Sequence, residues 1–142
     1  GLDRDIGGTA GDAAERLVTF LQQSIIVDTA VEAPQDALQT LTSQRGRPDG
    51  VARLFVAIAQ AAGMTARYVV GVRPAGDTLY THAWAEVRNS RGEWVAVDPA
   101  RGEAQASTAL IRLAWGGSSY PEDMLMLLAN ARITLLPSPS VP

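Results

Sequence analysis

A chain of 142 residues suffices for one domain with a real core, without disulfides or metal. Hydrophobic residues at 46% and charged residues at 19% suit an ordinary globular protein, and no apolar run of about eighteen residues offers a membrane span. With no cysteine and one histidine, the chain lacks disulfides, thiolate chemistry and multi-histidine zinc sites, and a net charge of −3 with scattered arginines argues against nucleic acid as a partner.

The opening Gly1-Leu2-Asp3-Arg4-Asp5 shows no signal peptide and reads as the cut end of a longer chain. Ala14, Leu17, Val18 and Leu21 then recur at helical spacing, predicting an amphipathic helix over about 11–23. Pro34 suits the first position of a second helix running to about Ser43, with Ala37, Leu38 and Leu41 on its apolar face. A third helix is expected from about Pro48 to Ala62, ended by Gly63. Val51, Ala52, Leu54, Phe55, Ile58, Ala59 and Ala62 cover so much of its circumference that it should lie at the centre, nearly surrounded.

After Gly63 the period changes to two. Strands are expected over 66–72, 80–88 and 94–98, with a further one around 110–115, a short helix over 121–130 and a last strand over 132–136. Helices first and antiparallel strands after give an α+β fold, as one domain over 1–136. The Pro/Ser-rich residues 137–142 read as a tail or linker. All twelve basic residues are Arg, which reflects a coding bias towards Arg, Ala and Gly; a functional reading is that a Lys-free surface offers no amine to an acylating enzyme.

Three stretches carry the chemistry. Pro48 opens a helix containing Ala52, Leu54 and Phe55, followed by Gly63-Met64-Thr65-Ala66-Arg67-Tyr68-Val69-Val70-Gly71. Then come His82-Ala83-Trp84-Ala85-Glu86-Val87 and Trp94-Val95-Ala96-Val97-Asp98-Pro99. In order and spacing these resemble the transglutaminase-like superfamily of papain-like cysteine enzymes, over roughly Ala14 to Leu136. That pattern has a cysteine, an Ala four on, a Leu-Phe pair and a Gly-Ile-Pro-Ala-Arg-Tyr-Val-x-Gly run, then a histidine box and an aspartate box. The cysteine position falls on Pro48; Thr65 and Gln60 are milder departures, where the family usually has proline and often arginine. The resemblance implies a papain-like core, with a central buried helix packed on an antiparallel sheet. It also implies a vestigial His82–Asp98 dyad, and a bacterial protein in an extracytoplasmic setting.

Elementary chemistry supports the same grouping. A thiol at a helix N-terminus is held as thiolate by the macrodipole, a histidine on a nearby strand completes the ion pair, and a carboxylate fixes the imidazole tautomer. If Ser90-Arg91-Gly92 forms a three-residue loop with Gly92 left-handed, Asn89 pairs with Glu93. His82, Trp84 and Glu86 then share a face with Trp94, Ala96 and Asp98, and His82 lies diagonal to Asp98 at about 7–8 Å between Cβ atoms. Proline at the first helical position keeps the fold, because its missing N–H needs no partner there, but supplies no nucleophile.

Other residues weigh less. Trp84 and Trp94 read as core or cleft-lining aromatics and as the binding candidates together with Asp49, whose first-turn carboxylate complements the dipole. Glu86 reads as a solvated or salt-bridged strand residue. Ser43 lies before the helix and Thr81 faces away from His82, so neither replaces the cysteine. The leading expectation is an inactive transglutaminase-like domain that binds a peptide or protein partner or supports a larger assembly, with no metal or cofactor. The alternatives are acyl transfer or hydrolysis through another nucleophile, such as Asp49 or water with His82 as base, and a purely structural domain.

Overall fold

The computed structural model describes residues 6–31, 35–106 and 109–116. Three helices lie on one face of a four-stranded antiparallel sheet: α1 (Ile6–Ser24), α2 (Ala37–Ser43) and α3 (Pro48–Ala61), against β3 (Ala66–Ala75), β4 (Thr78–Arg88), β5 (Trp94–Val97) and β6 (Ile111–Gly116). The sheet order is β5-β4-β3-β6. A separate parallel pair, β1 (Ile26–Val27) with β2 (Arg45–Gly46), brings the start of α3 back beside the end of α1. The sequence gives no period long enough to announce it. Asp28 helps to close it, bonded by Arg45 (2.7 Å) and the Ala30 amide (2.9 Å), and these donors hold its carboxyl below the ordinary carboxylate range.

The centre is α3, as its apolar circumference predicts. Val51, Ala52, Leu54, Phe55, Val56 and Ala59 are all buried, and the helix packs on α1, α2, β3, β4 and the 3₁₀ turn Pro99–Arg101. Ala66, Tyr68, Val70, Ala83, Ala85, Val87 and Val97 supply the opposing sheet face. Each large apolar side chain taken from water here contributes about 1.5–3 kcal/mol. Two charged residues are buried on this helix, Asp49 and Arg53; Arg53 is 3% exposed, donates Nη1 to the Gln35 carbonyl (2.9 Å) and lies 5.2 Å from the Tyr68 ring centre. Gly63, at φ +85, follows the helix end.

The second helix departs from its prediction. It begins at Ala37, capped by Asp36, whose side chain accepts from the Gln39 amide (2.7 Å) while Gln39 Oε1 accepts from the Asp36 amide (2.9 Å). This reciprocal box fixes the start, and Pro34 lies outside the described residues. Leu38 and Leu41 are 70% and 44% exposed, and Thr40 is the residue α2 buries. Apolar spacing marks a face that can be covered; here the rest of the chain covers the Thr40 side instead. The expected helix over 121–130 and strand over 132–136 lie outside the described residues. Among those described, no helix is long and apolar enough to cross a membrane.

Candidate functional site

The site is built on the β4–β5 hairpin, where register decides which side chains meet. Arg88 pairs with Trp94, Val87 with Val95, Glu86 with Ala96 and Ala85 with Val97. The Asn89 amide donates to the Glu93 carbonyl at 2.9 Å, and Gly92 takes φ +79 in the three-residue loop. This is the expected register, so His82, Trp84 and Glu86 share the face of Trp94, Ala96 and Asp98.

The consequence is a closed hydrogen bond between His82 Nε2 and Asp98 Oδ2, at 2.5 Å. The Asp98 side chain is 1% exposed and that of His82 12%. An ionised carboxylate can only accept, so a neutral imidazole donates through Nε2 and carries its lone pair on Nδ1. No described residue bonds Nδ1. Trp84 lies beneath the imidazole, with ring centres 6.1 Å apart and planes inclined by 24°. Its Nε1 and the second Asp98 oxygen, Oδ1, are both buried without a partner among the described residues.

The other candidates fall into two places. Pro48 is the first residue of α3, half-buried, and Asp49 beside it is ion-paired to Arg47 Nε at 3.0 Å. No hydrogen bond or ion pair among the described residues joins Asp49 to His82. Trp84 and Trp94 line a groove of about 730 Å³ on the sheet face of His82, together with Glu86, Gln105, Leu110 and Arg112. The Ser43 hydroxyl is engaged with the Gln39 and Arg45 carbonyls, each at 2.8 Å. Among the described residues no three of His, Cys, Asp and Glu gather to hold a metal ion.

Glu86 proves to be salt-bridged and buried, and its partners are functional candidates that the sequence reading passed over. Arg67 Nη2 and Arg112 Nη1 reach Glu86 Oε1 at 2.6 and 2.7 Å. Arg67 was legible in principle, since the period of β3 puts it opposite Glu86. Arg112 depends on an irregularity in β6 that leaves no sequence signal. Removing the shared anion strands Arg67, whose side chain is only 14% exposed, while Arg112, at 39%, keeps more of its water. Glu86→Ala is therefore expected to cost about 2–3 kcal/mol, read from the shift of the urea midpoint. A shift worth under about 0.5 kcal/mol would mean that both arginines reach water unaided.

Residues 2–99 match the family model of the transglutaminase-like superfamily. No curated protein matches the chain. Among solved structures, a Cytophaga hutchinsonii protein proposed to be a cysteine protease superposes with a TM-score of 0.61 at 23% identity. The match covers 72% of this chain and 35% of that one, so the chain spans about a third of the length of that structure. At this identity the likeness establishes the shared α+β, papain-like architecture alone.

Proposed function

Because the chain belongs to the transglutaminase-like superfamily, we propose that it is a member without its nucleophile, which acts by holding a peptide segment of a partner in the groove lined by Trp84 and Trp94. One observation carries this reading: the His82–Asp98 pair is closed and its Nδ1 open, in a chain with no cysteine. By motif spacing the nucleophile's place falls on Pro48, at the first position of α3. Proline has no acidic proton to give to Nδ1 and no backbone N–H to lend an oxyanion. A covalent acyl intermediate cannot form on such a residue.

The state of Asp49 supports binding over catalysis by substitution. Its carboxylate is held by Arg47 and is 6% exposed, which makes it a poor attacking group. The groove supports the peptide reading, because aromatic walls with a few polar groups suit an extended segment. The test is ammonia release from a glutamine-containing peptide in the presence of a primary amine. No release above the blank is expected. Release that disappears in His82→Ala would overturn the reading and restore an enzyme.

A further inference from the structure

In the β3–β6 pairing the register shifts between Val70 and Gly71, so that Trp115 lies opposite Val69 and Arg112 opposite Gly71. Three residues apart, Arg112 and Trp115 would point to opposite faces of a regular strand. The bulge turns both to the face of His82, Trp84 and Glu86. There they complete a stack: Arg67 lies 3.9 Å from the Trp94 ring centre and 5.0 Å from that of Trp115, and Arg112 lies 5.3 Å from Trp115. Such guanidinium–indole contacts hold the side chains in place as well as stabilise them.

One carboxylate serves this stack. Glu86 Oε1 accepts from Arg67 Nε (2.8 Å) and Arg112 Nη1 (2.7 Å), and Oε2 from Arg112 Nη1 (3.0 Å). Two cations against one anion leave the cluster with an excess positive charge. Asp98 does not offset it within the groove, since its carboxylate is buried and committed to His82. The unmatched groups are donors. They are the remaining edge of Arg112, whose side chain is 39% exposed, and the orphaned indole N–H of Trp84.

We propose that the groove recognises a carboxylate side chain, Glu or Asp, of its peptide, seated on the open edge of the Arg112 guanidinium. This rests on the peptide-binding reading above. A carboxylate brings only acceptors to a wall that already has surplus donors, whereas an amide brings further donors. Arg112 is half screened from water and held against Trp115, so its fork is pre-organised for a second planar anion.

The probes are fluorescein-labelled peptides of alternating Gly and Glu, and their Gly and Gln counterparts, titrated with the protein by fluorescence anisotropy. The Glu peptide is expected to bind about tenfold more tightly than the Gln peptide, with the advantage shrinking as salt rises. Arg112→Gln should remove that advantage, so that the two peptides bind equally, while an unchanged urea midpoint reports that the groove remains folded. Arg112→Lys, keeping charge without the fork, should retain only part of it. Equal affinity of the two peptides would overturn the carboxylate inference and leave the peptide reading standing. Binding of neither would overturn both. A galacturonate oligomer that binds as tightly as the Glu peptide, and loses affinity equally in Arg112→Gln, would overturn the assignment to peptide.

Discussion

Pro48→Cys is expected to create a thiol that reacts with iodoacetamide about twentyfold faster than a free thiol at about pH 5.5, and more slowly than one at about pH 9. An ordinary thiol has a pKa near about 8.5, while one at a helix N-terminus beside a histidine falls to about 5.5. At the lower pH the thiolate fraction then rises about 500-fold. The lower basicity costs about 20-fold in intrinsic nucleophilicity, which leaves the net gain. At the higher pH both thiols are ionised, only the second factor remains, and the order reverses.

The expectation uses what the fold retains. α3 begins at residue 48 and packs on β4 and on the turn that follows Asp98. The first-turn Asp49 would oppose a nearby thiolate, but its ion pair with Arg47 makes that pair neutral. Helix dipole and histidine contribute separately. His82→Ala in the same background should leave the modest dipole effect and remove most of the acid-side advantage. A Pro48→Cys rate that climbs tenfold per pH unit up to about pH 8, as a free thiol does, would show that the site has drifted apart beyond its first residue.

What the sequence could and could not show follows from the range of each interaction. The hairpin of β4 and β5 was legible because a three-residue loop with one left-handed glycine fixes the register, and the register alone sets His82 diagonal to Asp98. The third helix was legible because its apolar residues recur all round. The arginine inside it was not accounted for, since its partners, the Gln35 carbonyl and the Tyr68 ring, come from segments distant in the chain. Leu38 and Leu41 misled because a helical stripe states what can be buried, and only the tertiary structure decides what is. The bulge in β6 was invisible for a related reason. It is a misfit between two strands, and neither strand carries it in its own pattern.

That misfit centres on Gly71, and it makes Gly71→Ala the most damaging small substitution in the sheet. A Cβ at this position would collide with the Ile111 carbonyl oxygen of β6, and would lie 2.6 Å from Trp84 Cη2 and 3.0 Å from the Ile111 carbonyl carbon. Two kinds of obstacle meet here. The indole is buried and stacked with His82, while the β6 backbone is tied into the ladder. Overpacking a core commonly costs about 1–3 kcal/mol, and a clash with backbone lies at the upper end. A loss of about 3 kcal/mol is expected, measured by urea denaturation, together with a changed tryptophan fluorescence as Trp84 shifts. Adding Trp84→Phe separates the two obstacles, because a smaller ring yields while the carbonyl does not. The double variant should therefore recover less than half of the loss. Full recovery would place the whole strain on the indole and free β6 of any part in it. In the Pro48→Cys background, Gly71→Ala should also blunt the thiol's advantage at low pH, since the ring it displaces is the floor on which His82 rests.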